Sequence, residues 1–328
     1  MPRVLIGAAT IRETDGPYRS ILESAGFQVV FPKAARQMSE DELLAELDGV
    51  DAALAGSEPY TRRVLVARPQ LKVIARNGVG YDAVDVAAAT DHGVVVTVAP
   101  ANEEAVAEHA FALILALAKQ VIPQHEGLRR GQWLRKLTRP LRGQTLGLAG
   151  LGRIGRAVAV RGRAFGMRVI AHEPFPDTAF VERHAIELMP LERLFAEADY
   201  ISLHLPLTAE SRGMIDRQYF ERMKSTAFLI NTARGGVVNE TDLVAAVREK
   251  RIAGAGLDVF EREPPGDSPV TQLDNVVITA HTAGVDAKSG EDMATLAAQT
   301  IVRLSRGEWP EGLVVNPAVK TRFFGKKD

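Results

Sequence analysis

Cysteine is absent from these 328 residues. That absence excludes disulfides, thiol nucleophiles and cysteine-ligated metals, and leaves the redox compartment unmarked. A charge excess is also missing: 40 Lys and Arg face 41 Asp and Glu, a net charge of −1. Such a balance carries no bias toward nucleic acid or anionic membrane. The longest apolar run, residues 110–118, is too short to span a bilayer. The N-terminus, Met1-Pro2-Arg3-Val4, runs straight into a strand pattern without the features of a signal peptide. There is no repeat of fixed period and no low-complexity segment. The expectation is a cytoplasmic chain, long enough for about two domains with a core each.

Short apolar runs alternate with helical spacing throughout. Runs at 4–8, 28–31, 52–55, 72–75 and 94–98 predict strands, and segments such as 41–47 and 84–90 predict helices between them. This is an α/β unit with a parallel sheet. Residues 102–120 read as a long helix, opened by Asn102 with acids at 103 and 104. A basic, irregular stretch is expected at 124–142, with Trp133 inside it. A second unit starts at Thr145, with later strands at 200–205, 227–231, 254–259 and 276–280. A closing helix over about 285–304 and a short extended tail complete the chain.

The densest signal is Thr145–Gly155, TLGLAGLGRIG. An apolar run ends in Gly150-Leu151-Gly152-Arg153-Ile154-Gly155, a helical pattern follows, and the next apolar run closes on Glu173, 18 residues past Gly155. Strand, glycine turn, helix, strand and acid together are the context of a dinucleotide-binding turn. Gly150 allows the tight turn, Gly152 lets the backbone approach a pyrophosphate, and Gly155 lets helix and strand pack closely. The N–H groups at the helix start hold the phosphates. Glu173 is placed to accept hydrogen bonds from the ribose and to repel the extra phosphate of NADP, so NAD is the expected cofactor. The fold expected is α/β, with two Rossmann-like doubly wound parallel-sheet domains and a cleft between them. The substrate domain is discontinuous, residues 1–100 plus 286–328, and the nucleotide domain spans 101–285.

Three later segments place polar residues at predicted strand ends: Arg234 in NTARGG, Glu261 and Glu263 in LDVFEREPP, and His281 in TAHTAG. Carboxyl ends of parallel strands share the sheet edge where open α/β folds bind ligands. An arginine can bind a carboxylate and polarise a keto oxygen. A histidine can protonate that oxygen as hydride arrives. A glutamate can hold the imidazole and favour its charged form. The set suits hydride transfer to a 2-keto acid, and no metal enters this reading.

These segments, with RNGVGYDAVD at 76–85, ANEEAVAEHAFALILALAK at 101–119 and HLPLT at 204–208, give the chain its resemblance to the D-isomer-specific 2-hydroxyacid dehydrogenases. That group includes 3-phosphoglycerate dehydrogenases, glyoxylate/hydroxypyruvate reductases and D-lactate dehydrogenases. The resemblance covers nearly the whole chain. It implies that Arg234 binds substrate and that Glu263 partners the general acid/base His281. It implies cofactor contacts from Val79, Gly150, Gly152, Arg153, Ile154, Gly155, Glu173, Thr232, Ala233, Asp258 and Gly284, with Asp258 on the nicotinamide side. Backbone amides at Asn77, Gly78, Val79 and Gly80 would hold the substrate carboxylate. It also implies a homodimer, built from the Asn102 helix and the arm at 124–142. Glu173 stands where the family mostly has aspartate, and Ala280 replaces the common proline before the histidine. The chain ends without the regulatory domain that some phosphoglycerate dehydrogenases carry, so serine feedback through such a domain is not expected.

Other readings on this fold are weaker. A formate dehydrogenase would lack the glutamate paired with the histidine. An NADP-dependent reductase would want arginine or a small residue near 173. An NAD-sensing corepressor-like binding protein could keep the same triad. Substrate choice stays open at this level. Arg76 could meet a substrate phosphate or be a structural cation, Arg12 and Arg19 could be solvated or face the cleft, and Tyr60 and Tyr81 could narrow it.

Overall fold

The computed structural model describes residues 1–12, 16–34 and 36–325. The chain divides into two compact units, Met1–Asn102 with Val285–Asp328, and Glu103–Gly284. Each is a parallel sheet covered by helices on both faces.

In the first unit the strands are β1 (Arg3–Ile6), β2 (Gln28–Val30), β3 (Ala52–Ala55), β4 (Val73–Arg76) and β5 (Val95–Thr97). They pair in the order β2-β1-β3-β4-β5, all parallel. The central strand β3 is buried along its length, as a continuous apolar run covered on both faces should be. Helices Pro17–Ser24 and Ala287–Ser305 pack on one face around Tyr18, Leu22, Ala294 and Ile301. Helices Glu40–Glu46, Arg62–Ala67 and Val86–Asp91 close the other around Leu43, Val64 and Ala88.

The second unit carries β6 (Thr145–Ala149), β7 (Arg168–His172), β8 (Glu187–Leu188), β9 (Tyr200–Leu203), β10 (Phe228–Asn231), β11 (Gly254–Leu257) and β12 (Val276–Ile278). Their order is β12-β11-β10-β9-β6-β7-β8, again all parallel. The strand order reverses between β6 and β9, so ligands are expected outside the carboxyl ends of that pair. Helix Glu103–Lys119 lies on this sheet with Ala107, Phe111, Ile114 and Leu117 buried. Among the described residues no single helix is long and apolar enough to cross a membrane.

Two expectations need correction. Residues 124–142 are not irregular from the start: a helix runs Val121–Arg129, set off from the preceding one by Gln120 at φ 51°. Its only proline, Pro123, falls in the first turn, where the missing N–H leaves no intrahelical bond unmade. Trp133 and Leu137 beyond it are exposed. The tail is not simply extended either. Residues 313–316 run antiparallel to β5, through Val98 N–H to Leu313 O at 2.9 Å and Val315 N–H to Val96 O at 2.9 Å. Buried Asn316 accepts from Val96 N–H and donates to Val94 O, both at 2.9 Å. A short turn, Pro317–Val319, then enters helix Lys320–Phe324. The tail so covers the edge of β5, which would otherwise expose unpaired backbone groups. The last residues of the tail, 326–328, lie outside the described residues.

Candidate active site

The glycine turn follows β6 as the motif requires. Gly150 has φ 100°, and a Cβ there would meet His204 O at 2.5 Å. A Cβ on Gly155 would lie 2.3 Å from Gly150 O, so the helix start sits directly on the strand end. Gly152 differs: nothing lies within 4 Å of its missing Cβ. It is the N-cap of helix Arg153–Ala164 and supplies no side-chain cap. The dipole and N–H groups of an uncapped helix start favour an anion there. Glu173, just past β7, reaches this turn: its Oε2 accepts from Leu151 N–H at 2.9 Å and its Oε1 from Phe175 N–H at 3.1 Å. Arg153 reaches Glu103 at 2.5 Å.

Two polar atoms at the neighbouring strand ends are buried without a hydrogen-bond partner, Thr232 Oγ1 after β10 and His204 Nε2 after β9. Burial pushes His204 down to about 4, so its imidazole is neutral at pH 7. Buried polar groups without partners are rare, and a bound ligand is one way to satisfy them. The open Gly152, the uncapped helix and these atoms fit a dinucleotide.

The second cluster is built from β10, β11 and β12. Past β10, buried Asn231 donates from Nδ2 to Arg234 O at 2.9 Å and accepts from Ala233 N–H at 3.0 Å, shaping the turn that carries Arg234. Arg234 Nη1 donates to Ala233 O at 2.7 Å. Gly235 abuts the backbone past β11: a Cβ there would lie 1.9 Å from the carbonyl carbon and oxygen of Phe260. Glu263 Oε1 accepts from Phe260 N–H at 3.1 Å. Its Oε2 lies 2.7 Å from His281 Nδ1. Partial burial pushes the Glu263 carboxyl up, but the His281 bond and charge, the Phe260 N–H and the charge of Arg234 together hold it below the usual carboxylate range.

His281 has φ 53°, in the left-handed region that a non-glycine residue enters at a cost of roughly 1–2 kcal/mol. Asp258 at the end of β11 offsets this. It is fully buried. Its backbone carbonyl accepts from His281 N–H at 2.8 Å. Its Oδ1 accepts from Thr282 N–H at 2.9 Å and Thr279 Oγ1–H at 2.6 Å, and its Oδ2 from Ala283 N–H at 2.8 Å. His109 Nε2 lies 2.8 Å from Thr279 Oγ1 and 3.5 Å from Asp258 Oδ1. The histidine loop is thus bracketed by one carboxylate.

A family model described as "D-isomer specific 2-hydroxyacid dehydrogenase, NAD binding domain" matches residues 111–283. The chain belongs to this family. It is an NAD-dependent oxidoreductase of 2-hydroxy acids. A glyoxylate reductase of Korarchaeum cryptofilum is 41% identical over 274 residues, 81% of this chain and 82% of that one. A D-3-phosphoglycerate dehydrogenase of Methanocaldococcus jannaschii is 39% identical over 93% of this chain, which spans 59% of its length. The crystal structure of D-lactate dehydrogenase from Aquifex aeolicus, complexed with NAD and lactic acid, superposes with a TM-score of 0.84 at 30% identity, covering 95% of this chain and 98% of that one.

In this dehydrogenase the unit Glu103–Gly284 brings Gly150, Gly152, Arg153, Ile154, Gly155 and Glu173 together at one turn. Glu263 and His281 pair in a second cluster on the same sheet edge, and the charge of Arg234 acts on the Glu263 carboxylate. Thr232 and Ala233 precede Arg234, and Gly284 closes the histidine loop. Asp258 is placed behind that loop, with no exposed surface from which to touch a ligand. Asn77, Gly78, Val79 and Gly80 lie in the other unit. There Gly78 has φ 143°, its carbonyl accepts from Ala99 N–H at 2.9 Å, and buried Asn77 Oδ1 has no partner.

Of the two readings open for Arg76 the structure favours the structural one, whereas Tyr60 needs correction as a residue that could narrow a cleft. Arg76 is buried and donates to Gly80 O at 2.7 Å and Ala55 O at 3.3 Å, which makes it the structural cation. Tyr60 is fully buried and cannot narrow an open cleft, whereas Tyr81 is exposed. Sequence reasoning missed Asn231, His109 and Thr279. Only Asn231 left a signal, as an Asx residue two before a turn.

Proposed function

We propose that this enzyme reduces a 2-keto acid to the D-2-hydroxy acid with NADH, by proton transfer from His281. The observation that carries this reading is the 2.7 Å pair of His281 Nδ1 and Glu263, with the charge of Arg234 acting on the same carboxylate. Engagement of Nδ1 by Glu263 leaves Nε2 as the nitrogen that faces substrate chemistry. Arg234 binds the substrate carboxylate and polarises the keto oxygen. Gly152, the helix N-terminus and Arg153 hold the pyrophosphate, Glu173 the ribose, and Thr232 and Ala233 line the nucleotide. The bound cofactor supplies the hydride. As the oxyanion forms, His281 donates the proton, and Glu263 keeps the ring oriented and stabilises its charged form.

The test is NADH oxidation by the purified protein with glyoxylate, hydroxypyruvate, phosphohydroxypyruvate, pyruvate and 2-ketoglutarate, with NADPH in parallel. Turnover of one acid with NADH is expected. NADH binding without turnover of any would point to a sensor instead.

Glu263→Gln removes the negative partner of His281. Glu263 has a depressed pKa, so the pair is intact above the ordinary carboxylate range and is lost as pH falls through the folded value. The wild-type rate should therefore fall at acid pH as Glu263 is protonated and the pair is lost, and the Glu263→Gln variant should be slower throughout and show no such acid fall. An unchanged pH profile would contradict the pairing.

The exposed side chains Val121, Ile122, Leu128, Trp133 and Leu137 support a homodimer through helix Val121–Arg129 and the segment after it. Sedimentation velocity should give twice the chain mass, and a monomer would overturn this assignment. The cytoplasm is the proposed location, and cell fractionation tests it.

A further inference from the structure

Within the unit Glu103–Gly284, a side-chain contact outside the reacting groups joins helix Glu103–Lys119 to the loop that carries His281. Leu113 on that helix faces Gly256 in β11: a Cβ added at Gly256 would lie 2.9 Å from Leu113 Cβ. The glycine lets the helix settle directly on the strand. Residues 109 and 113 share one face of the helix, and residues 256 and 258 lie on one side of an extended chain. The close approach at Gly256 therefore brings His109 to Asp258, at the carboxyl end of β11.

Thr279 Oγ1 stands between them, 2.8 Å from His109 Nε2 and 2.6 Å from Asp258 Oδ1. A hydroxyl has one hydrogen, and a carboxylate oxygen only accepts. Thr279 gives that hydrogen to Asp258, so toward His109 it accepts. His109 Nε2 is therefore a nitrogen that carries a hydrogen. It also lies 3.5 Å from Asp258 Oδ1, so the donor edge of the ring faces the carboxylate. Asp258 in turn takes the N–H groups of Thr282 and Ala283 on its oxygens and that of His281 on its carbonyl. A fully buried carboxylate is costly to leave short of donors. Loss of the donor from the helix side forces a rearrangement, and the remaining donors belong to the backbone of the histidine loop.

We propose that His109 is a positioning residue for the proton transfer: through Thr279 it fixes the Asp258 carboxylate, and Asp258 fixes the loop that aims His281. This inference rests on the keto-acid reduction proposed above. His281 stands at φ 53°, a conformation that persists only where its surroundings over-determine it. A displacement of about 1 Å at a reacting group can cost ~100-fold in rate. His109 thus acts on where the acid stands, not on its chemistry.

The experiment measures kcat, KM and NADH affinity in His109→Leu, His109→Gln, Thr279→Val and the double variant His109→Leu/Thr279→Val. With the best keto acid, His109→Leu should lower kcat at least ~10-fold, with KM and the NADH dissociation constant within ~3-fold of wild type. Glutamine keeps an N–H donor of similar reach, so His109→Gln should regain most of the loss. The double variant should be no slower than the slower single one, because both substitutions break one chain of bonds. NMR of the imidazole nitrogens in the wild-type protein, assigned by the signal that His109→Gln removes, should place a hydrogen on Nε2. Wild-type kcat in a folded His109→Leu protein overturns the inference while leaving keto-acid reduction intact. A hydrogen on Nδ1 alone, losses that multiply in the double variant, or a glutamine variant as slow as the leucine one also overturns it. Absence of turnover with every acid in the wild-type protein instead overturns the proposed function, and this inference with it. Should His109→Leu fail to fold, Thr279→Val, with the same expected fall in kcat, and the NMR signal decide.

Discussion

His281→Ala is expected to lower turnover by about 100-fold or more while NADH binding stays nearly unchanged, the loss typical of a removed general acid. The separation follows from where the residue sits. His281 contacts Glu263 through its side chain and Asp258 through its backbone, and neither contact reaches the glycine turn at 150–155 that holds the nucleotide. Alanine keeps the backbone N–H that bonds the Asp258 carbonyl. It also inherits φ 53°, so a small loss of stability should accompany the loss of rate. Steady-state kinetics and NADH fluorescence titration separate the two effects. Surviving turnover would remove His281 from the mechanism. Weakened NADH binding of the same magnitude would show that the substitution had disturbed the fold instead.

Gly235→Ala should be the most damaging single methyl group in the unit. Its Cβ would be placed 1.9 Å from both the carbonyl carbon and oxygen of Phe260, and 2.5 Å from Glu261 N. Main chain meets main chain there, so no rotamer change relieves the clash. The turn carrying Arg234 must part from the segment carrying Glu263. Overpacking typically costs about 1–3 kcal/mol, and a contact this short belongs at or above the upper end. Calorimetry should show a lower Tm, and kcat/KM should fall because Arg234 and Glu263 are displaced together. Wild-type Tm and activity would mean that this contact does not hold the two loops in place.

The strand positions show what local pattern can and cannot reveal. β3 falls on its expected residues, and β10 starts one residue late, because buried parallel strands are continuous apolar runs bounded by turns. The two-residue β8 passed unseen, since both its residues are exposed and carry no periodicity. Helix Val121–Arg129 was obscured by basic and polar composition around a proline. The tail pairing with β5 was hidden for another reason: Asn316 reaches Val96 across 220 residues, and nothing near either residue marks the other.

The sequence by itself determined the two-sheet α/β class, the dinucleotide turn, the family and the candidate triad of Arg234, Glu263 and His281. These features are local in the chain: glycine spacing, apolar runs and polar residues at strand ends all depend on near neighbours. Only the tertiary structure decided that Asp258 lies behind the histidine loop, that Gly235 presses on Phe260, and that Thr279 joins His109 to the buried Asp258. Each of these turns on which strand ends meet and on how much water reaches them. A buried charge has its meaning from partners brought by other strands, and strand order is a property of the sheet rather than of any segment within it.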